Sequence, residues 1–209
     1  MRITKFGHAC VRIEQDGQAL VLDPGSFTEP EAVDGVGAVL VTHEHPDHLD
    51  VDRLRRVEVP VLAGEGVAQA LRDQAPDVAE RVQVVRDGDE VAAAGLRVTV
   101  HGEEHALIHQ DIPRIVNTGF CVEDAVFHPG DSFTAPPHPV PVLLVPVHAP
   151  WMRLAEAVDF ARAHASGQVV AVHDGLLNDN GLTVTGRVMG GLLEASGQEF
   201  RRVAPGDDL

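Results

Sequence analysis

A dense cluster of metal-binding residue types, placed directly after a buried strand, constrains this chain more than any other feature. The cluster is Thr42-His43-Glu44-His45-Pro46-Asp47-His48-Leu49, and it follows the apolar run Ala38–Val41. A short apolar run rich in β-branched residues predicts a buried β-strand. Asp50, just after the cluster, is a suitable N-cap for a short helix. The cluster therefore lies between a strand and a helix, where open α/β sheets place their sites.

The spacing of the side chains within the cluster predicts two neighbouring metal ions. Neutral imidazoles and carboxylates are natural ligands of zinc and of similar divalent ions. On an extended or looped backbone, His43 and His45 point the same way and can bind one ion. Asp47 and His48 come next and can reach a second ion. A solvated loop would explain any two of these residues, but all four after a buried strand favour a metal site.

The pattern Thr-His-x-His-x-Asp-His-Leu resembles the signature of the metallo-β-lactamase fold superfamily of hydrolases. This resemblance implies an α/β fold of the αββα type, a four-layer sandwich with two sheets face to face and helices outside. The order of predicted elements agrees with it, because each half of the chain contains a meander of strands followed by a β-α-β unit. The last helix is predicted near residues 185–195. We expect residues 1–209 to form a single domain of this type.

The resemblance also implies a third histidine on the first ion, from a loop just past a strand. Three histidines are candidates, namely His101, His105 and His109. The sequence Gly-x-x-His-Ala after a strand is most similar to that of related members, which favours His105. His101 is the alternative, and His109 is expected to be a neighbouring loop residue.

Two further ligands complete the set that the resemblance implies. Asp131 follows a predicted strand and a glycine, at the point where the superfamily places a carboxylate that bridges both ions. A carboxylate has two oxygens and can span two ions about 3.5–4 Å apart. His173 comes immediately after a predicted strand at residues 169–172, and it would join Asp47 and His48 on the second ion.

Two other histidines are expected to contact the substrate. His8 interrupts two predicted strands next to a glycine, a place where a lone histidine is more often structural, but the resemblance puts this turn on the site side. His148 ends the strand that precedes the His173 strand, and we assign it to the pocket wall. The loops at residues 26–34 and 135–141 are expected to determine specificity.

The implied activity is that of a dinuclear metal-dependent hydrolase that uses a hydroxide bridging the two ions. Zinc is the expected metal, and manganese or iron would also suit these ligands. Asp47, which would face the bridging water, is the candidate catalytic residue that accepts a proton. The expected substrate is a small ester, lactone or phosphodiester. The chain lacks the Gly-x-Ser-x-Gly elbow of serine hydrolases.

The absence of a large insertion narrows the resemblance to a branch of small hydrolases that includes ascorbate-phosphate lactonase-like proteins. The alternative function is that of a non-catalytic relative which retains the site and binds only a metal or a ligand. Turnover of generic esters by the metal-loaded protein would distinguish the enzyme from this relative.

Composition indicates a small-molecule substrate as the partner, rather than nucleic acid or membrane. The formal net charge is −16, whereas proteins that bind the phosphate backbone usually carry a basic face. No apolar stretch is long enough to cross a bilayer, and the N-terminal residues show no apolar signal region. Cys10 and Cys121 are isolated in apolar segments, as expected of core residues in a reducing compartment. We therefore expect a cytoplasmic protein.

Overall fold

Two β-sheets form the centre of the molecule. The computed structural model describes residues 1–209. The first sheet contains six strands in chain order, namely β1 (Arg2–Lys5), β2 (Val11–Gln15), β3 (Gln18–Leu22), β4 (Ala38–Val41), β5 (Val61–Ala63) and β6 (Val82–Val84). The second contains seven strands, again in chain order, namely β7 (Glu90–Ala93), β8 (Leu96–His101), β9 (Gly119–Val122), β10 (Val126–His128), β11 (Val140–Pro146), β12 (Ala165–Val172) and β13 (Glu199–Arg201).

Helices lie in the connections between the parallel strands. They are α1 (Val51–Leu54), α2 (Glu65–Gln74), α3 (Pro76–Ala79), α4 (Leu154–His164) and α5 (Asp179–Glu194), with a 3-10 turn at Pro30–Val33. Asp50 caps α1 as predicted, because its side chain accepts hydrogen bonds from the backbone amides of Asp52 and Arg53.

Each sheet changes from antiparallel to parallel pairing along its length. In the first sheet β1, β2 and β3 are antiparallel, and β3 to β6 are parallel. In the second sheet β7 to β10 are antiparallel, and β10 to β13 are parallel. This is the meander followed by β-α-β that the sequence predicted in each half.

Alternation of side chains along the strands produces four layers. Leu20 and Leu22 of β3 point into a core of 19 buried residues that contains side chains from both sheets. Val21, between them, points to the other face and packs with residues of α1 and α2. Leu144 and Leu143 of β11 divide in the same way, with Leu143 packing against α4 and α5. Because side chains alternate between the two faces of each strand, each sheet packs against the other sheet on one face and against helices on the other. This is the predicted αββα order of layers.

The parallel strands bring the ends of both sheets to one edge. β3 pairs with β4 in parallel, so Asp23 and His43 follow their strands at the same edge. β11 pairs with β12 in parallel, which places His148 and His173 side by side after their strands. Because ligands bind at the carboxyl ends of parallel strands, this edge is the expected place for a site.

Two expectations about local structure were wrong. The last helix was expected near residues 185–195, but α5 begins six residues earlier because Asn178 caps it, accepting a hydrogen bond from the amide of Gly181. The loop at residues 135–141 was expected to line the pocket. It lies instead at the opposite end of the second sheet, where His138 is 3.6 Å from Asp124 in the β9–β10 turn.

None of the helices is both long enough and apolar enough to cross a bilayer.

Gly25 allows the loop after β3 to pack against the loop that carries the histidine cluster. A Cβ atom at this position would lie 1.9 Å from the carbonyl oxygen of Asp47. Since that oxygen belongs to the backbone, it cannot move aside as a flexible side chain would. The glycine is therefore required by the close approach of two backbones.

We predict that Gly25→Ala lowers the free energy of unfolding by about 2–3 kcal/mol, the upper range for overpacking a tight contact. The matched control is Gly186→Ala in α5, where an added Cβ has no atom within 4 Å. This control should be neutral or stabilising by about 0.5–1 kcal/mol, because alanine favours a helix interior. Urea unfolding of both variants measures the difference, and equal stabilities would contradict the close contact.

Candidate metal centre

Eight side chains with metal-binding atoms meet at the shared edge of the two sheets. They form two groups, and within each group the ligand atoms lie within 4.8 Å of one another. His45 and Asp47 are half-buried and the other six are buried. The first group is His43, His45, His105 and Asp131, and the second is His8, Asp47, His48 and His173. The seven ligands predicted from the sequence are thus all brought together.

Hydrogen bonds fix which ring nitrogen of His43 is free. The hydroxyl of Thr42 donates to Asp23 at 2.8 Å, so towards Nδ1 of His43, 3.0 Å away, it can only accept. Nδ1 of His43 therefore carries the proton, and the lone pair is on Nε2. That nitrogen faces Nδ1 of His45 at 3.0 Å. Burial lowers the pKa of His43 well below its ordinary value, which keeps the ring neutral as a ligand requires.

The same arrangement recurs at three further histidines, each through a different acceptor. Nδ1 of His105 donates to the carbonyl of Ala106 at 2.6 Å. Nδ1 of His48 donates to the carboxylate of Asp23 at 2.7 Å, and Nδ1 of His173 donates to the carbonyl of His148 at 2.5 Å. In every case Nε2 is the nitrogen left to face the centre. Such outer partners are what orient histidine ligands in metal sites.

Asp131 lies between the two groups. Its Oδ1 is 3.2 Å from Nε2 of His48. Its Oδ2 is 3.2 Å from Nε2 of His173 and 3.4 Å from Nε2 of His105. One carboxylate therefore contacts histidines of both groups, which is the position that a bridging ligand needs.

Four buried atoms at this point have no hydrogen-bond partner. They are Nε2 of His48, Nε2 of His105, Nε2 of His173 and Oδ1 of Asp131. Unpaired buried polar atoms cost about 1–3 kcal/mol each, and native proteins contain few of them. Four that converge on one point fit divalent cations, because imidazole nitrogens and carboxylate oxygens are their ligands. The residues present therefore fit metal ions.

The histidines keep both central carboxylates ionised. Burial alone would raise the pKa of Asp131, but His48, His105 and His173 outweigh it and hold that pKa well below its ordinary value. Burial opposes ionisation of Asp47 too, but the neighbouring His173, His8 and His48 lower its pKa below the ordinary range. Both side chains are thus available as anionic ligands at neutral pH.

His8 supports Asp47 and is not placed to contact a substrate. Its Nδ1 accepts a hydrogen bond from the backbone amide of Gly175 at 3.0 Å. The proton of the neutral ring must therefore be on Nε2, which donates to Oδ2 of Asp47 at 3.0 Å. A nitrogen that carries a proton offers no lone pair to an ion. Although His8 belongs to the second group, it holds Asp47 in place, and its burial differs from the predicted contact with substrate.

The remaining histidines lie outside the two groups. His148 is exposed, beside His173, and contributes its backbone carbonyl there. His101 ends β8 and contacts the hydroxyl of Thr99 at 2.8 Å, whereas His109 is exposed and lies 3.5 Å from Asp111. Of the three candidates for the third ligand of the first ion, only His105 has a ring nitrogen among the clustered atoms.

Sequence reasoning did not assign three buried residues that hold the ligands. Asp23 binds the amide and hydroxyl of Thr42 as well as His48. Asn117 accepts from the amide of Asp131 and donates to the carbonyl of Pro129, which fixes the turn that carries Asp131. His128 donates to the carbonyl of Ala9 and accepts from the amide of Gly130, which connects that turn to the His8 loop.

A signal for Asp23 was present in the sequence. It follows a predicted buried strand, as His43 does, and parallel neighbours end at the same edge. Asn117 and His128 gave no comparable signal.

Backbone strain also marks the site, since His8, Asp23 and His173 have φ values of 58°, 48° and 58°. Residues other than glycine seldom adopt this left-handed region, and those that do are concentrated at functional sites.

Comparison with known proteins agrees with this arrangement. The family model described as beta-lactamase superfamily domain matches residues 2–173. The chain belongs to the beta-lactamase superfamily. Together with the two sheets and their outer helices, this confirms the predicted metallo-β-lactamase fold.

Individual proteins are similar along most of the chain. Protein Rv0786c of Mycobacterium tuberculosis is 39% identical over 186 residues, which is 85% of each chain. A UPF0173 metal-dependent hydrolase of Aeropyrum pernix is 31% identical over 63% of this chain and 61% of its own. The structure of Igni18, a metallo hydrolase from Ignicoccus hospitalis, superposes with a TM-score of 0.75 at 19% identity, covering 100% of this chain and 97% of its own. The Aeropyrum pernix relative is named a metal-dependent hydrolase, which agrees with the predicted class of enzyme, and the likeness to Igni18 agrees with the fold.

We predict that His105→Ala removes most of the stabilisation by added zinc, whereas His109→Ala retains it. An ion present at 100 times its dissociation constant stabilises the folded state by about 2.7 kcal/mol. For a chain of this size that corresponds to a rise in Tm of about 5–10 °C. Thermal unfolding of ion-free protein with and without zinc measures the rise. An undiminished rise in His105→Ala, or its loss in His109→Ala, would show that the third histidine is assigned wrongly.

Proposed function

We propose that this chain is a dinuclear metal-dependent hydrolase acting on a small ester, lactone or phosphodiester. In this proposal His43, His45 and His105 hold the first ion, and Asp47, His48 and His173 hold the second. Asp131 binds both. The observation that carries the proposal is the convergence of three buried, unpartnered histidine nitrogens on the carboxylate of Asp131, whose Oδ1 is unpartnered too.

Zinc is the metal we expect at both positions, with manganese or iron as the alternatives. A set of imidazoles and carboxylates suits zinc, and it also suits the other two metals. When bound, such ions lower the pKa of coordinated water and polarise a carbonyl or phosphoryl oxygen.

The residues of the chain would contribute positioning and proton transfer. Asp47 is half-buried and ionised, so it can accept a proton from the attacking water. His8 fixes the orientation of that carboxylate, and the amide of Gly175 fixes the tautomer of His8. This connection keeps Asp47 in one orientation before a substrate arrives, which is the supporting role typical of outer residues in metal sites.

Trp151 adds a second constraint on the central carboxylate. Its indole N–H donates to Oδ2 of Asp131 at 3.0 Å. The ring lies 6.2 Å from the ring of His105 and 5.1 Å from that of Phe133. Trp151 therefore forms one wall of the site while it orients Asp131.

Removal and return of the metal tests the proposal directly. The protein would be stripped with a chelator, reconstituted with zinc, analysed for bound metal, and assayed with esters, lactones and phosphodiesters. We expect two zinc ions per chain and a hydrolytic activity that is lost on chelation and restored by zinc. Two bound ions without turnover of any of these substrates would instead support the non-catalytic relative.

We predict that Asp131→Ala binds one zinc ion fewer than the unmodified chain. The change removes the carboxylate that contacts histidines of both groups, and activity should fall at least 100-fold with it. The control is Asp111→Ala, which removes an exposed carboxylate from the loop that also carries His105. Metal analysis of both variants after dialysis measures the difference. Two tightly retained ions in Asp131→Ala would refute the bridging role.

A further inference from the structure

The loops around the metal centre are poor in basic residues. These loops, called the site loops below, are residues 6–10, 23–37, 42–50, 102–118, 129–134, 147–153 and 173–178. They contain twelve acidic residues but only two arginines, Arg114 and Arg153. Arg114 is paired with Glu104 at 2.5 Å, and Arg153 with Glu156 at 2.9 Å. Both arginines of the site loops are thus already paired with a carboxylate.

The same loops expose large apolar side chains. Eight such side chains are exposed in the whole chain, and four of them belong to site loops. Exposed apolar residues that gather around a concave site commonly mark a ligand surface. The four are Phe27, Leu107, Ile112 and Leu176, with exposed fractions of 46%, 47%, 46% and 57%. Together with the half-buried Trp151 we call them the apolar collar.

Contacts place members of the collar directly beside the metal centre. The ring of Phe27 is 5.2 Å from that of His8, edge to face. Ile112 lines a cavity of about 90 Å³ whose wall includes His45 and His105. Leu107 and Leu176 follow His105 and His173 by two and three residues. Whole-ligand pockets usually measure about 300–1,000 Å³, so the small cavity suits one apolar arm of a ligand.

Resting on the proposed function, we infer that the site selects a neutral ester or lactone with an apolar side chain. The reacting carbonyl would lie at the metal centre, and the apolar part would lie against the collar. A phosphodiester is disfavoured because the site loops carry twelve carboxylates but only two arginines, both already paired with a carboxylate. A neutral carbonyl compound meets no such repulsion and gains from burial of its chain.

The size of the expected preference follows from the exposure of the collar. A fully buried methylene group contributes about 0.8 kcal/mol, which is close to a fourfold change in affinity. Because collar residues are about half exposed, they would cover a bound ligand chain on one side only. Each methylene group of the ligand is therefore expected to raise affinity by about twofold. Four additional methylenes should therefore raise affinity by about 16-fold.

Trp151 provides a binding signal that is independent of turnover. It is the only tryptophan, and the chain has no tyrosine, so protein fluorescence reports on the surroundings of this one side chain, where the collar meets the metal centre. The zinc-loaded protein would be titrated with hexanamide, acetamide and dimethyl phosphate. Hexanamide should bind about 16-fold more tightly than acetamide and more tightly than dimethyl phosphate. Tighter binding of dimethyl phosphate, or equal binding of the two amides, would overturn the inference.

Matched variants connect the preference to the collar. Ile112→Ser should lower the ratio of hexanamide to acetamide affinity by at least twofold. The control is Val184→Ser, which removes another exposed apolar side chain (56%, against 46% for Ile112) from α5, outside the site loops. If the ratio of hexanamide to acetamide affinity is unchanged in both Ile112→Ser and Phe27→Ser, the collar does not select the ligand.

Turnover then separates the failure of this inference from the failure of the proposed function. The zinc-loaded protein would be assayed with p-nitrophenyl acetate and hexanoate, with γ-decalactone, and with bis(p-nitrophenyl) phosphate. Hydrolysis of the hexanoate or the lactone that is faster than hydrolysis of the acetate and of the phosphodiester supports the inference. Which of the two is hydrolysed faster shows whether the site prefers open esters or lactones. Preferred hydrolysis of the phosphodiester overturns the inference but still supports the proposed function as a metal-dependent hydrolase. Binding of hexanamide without any turnover supports the ligand class and overturns the hydrolase.

Discussion

The contact of one buried carboxylate with histidines from both halves of the molecule is the constraint on which the site depends. Asp131 follows β10 of the second sheet, and it meets His48 of the first sheet and His173 of the second. A carboxylate buried in this way is costly unless positive charge surrounds it. Its environment provides imidazoles whose free nitrogens face it, and divalent ions bound between them and the carboxylate would supply the positive charge.

The fold makes this contact possible because both sheets end their parallel strands at one edge. The core between the sheets contains side chains from both, so it fixes the two sets of loops relative to each other. His128 and Asn117 then hold the Asp131 turn through backbone contacts. Packing of the two sheets therefore also positions the ligands. A change that shifts one sheet relative to the other would separate the two ligand groups.

Much of this could be predicted because the informative residues lie next to strong strand signals. His43 and His173 directly follow apolar runs, and the cluster around His43 is dense enough to indicate metal by itself. His105 was harder, since its loop has no regular structure, and only resemblance to related sequences separated it from His101 and His109. The tautomers of His8 and His48 depend on Gly175 and Asp23, which are distant in sequence, so no local pattern shows them.

Errors arose where an effect beyond local periodicity decides the structure. The glycines of α5 obscured its beginning, which depends on the cap at Asn178. Residues 135–141 have a loop-like composition, but composition does not show at which end of a sheet a loop lies. Trp151 was not assigned because its role rests on one hydrogen bond to Asp131 and on contacts with aromatic rings.

Anomalous diffraction from crystals of the zinc-loaded protein tests the central claim most directly. The account predicts two zinc peaks about 3.5–4 Å apart, with His43, His45 and His105 on one ion, Asp47, His48 and His173 on the other, and Asp131 on both. A single peak, or a second ion bound without Asp131, would contradict it.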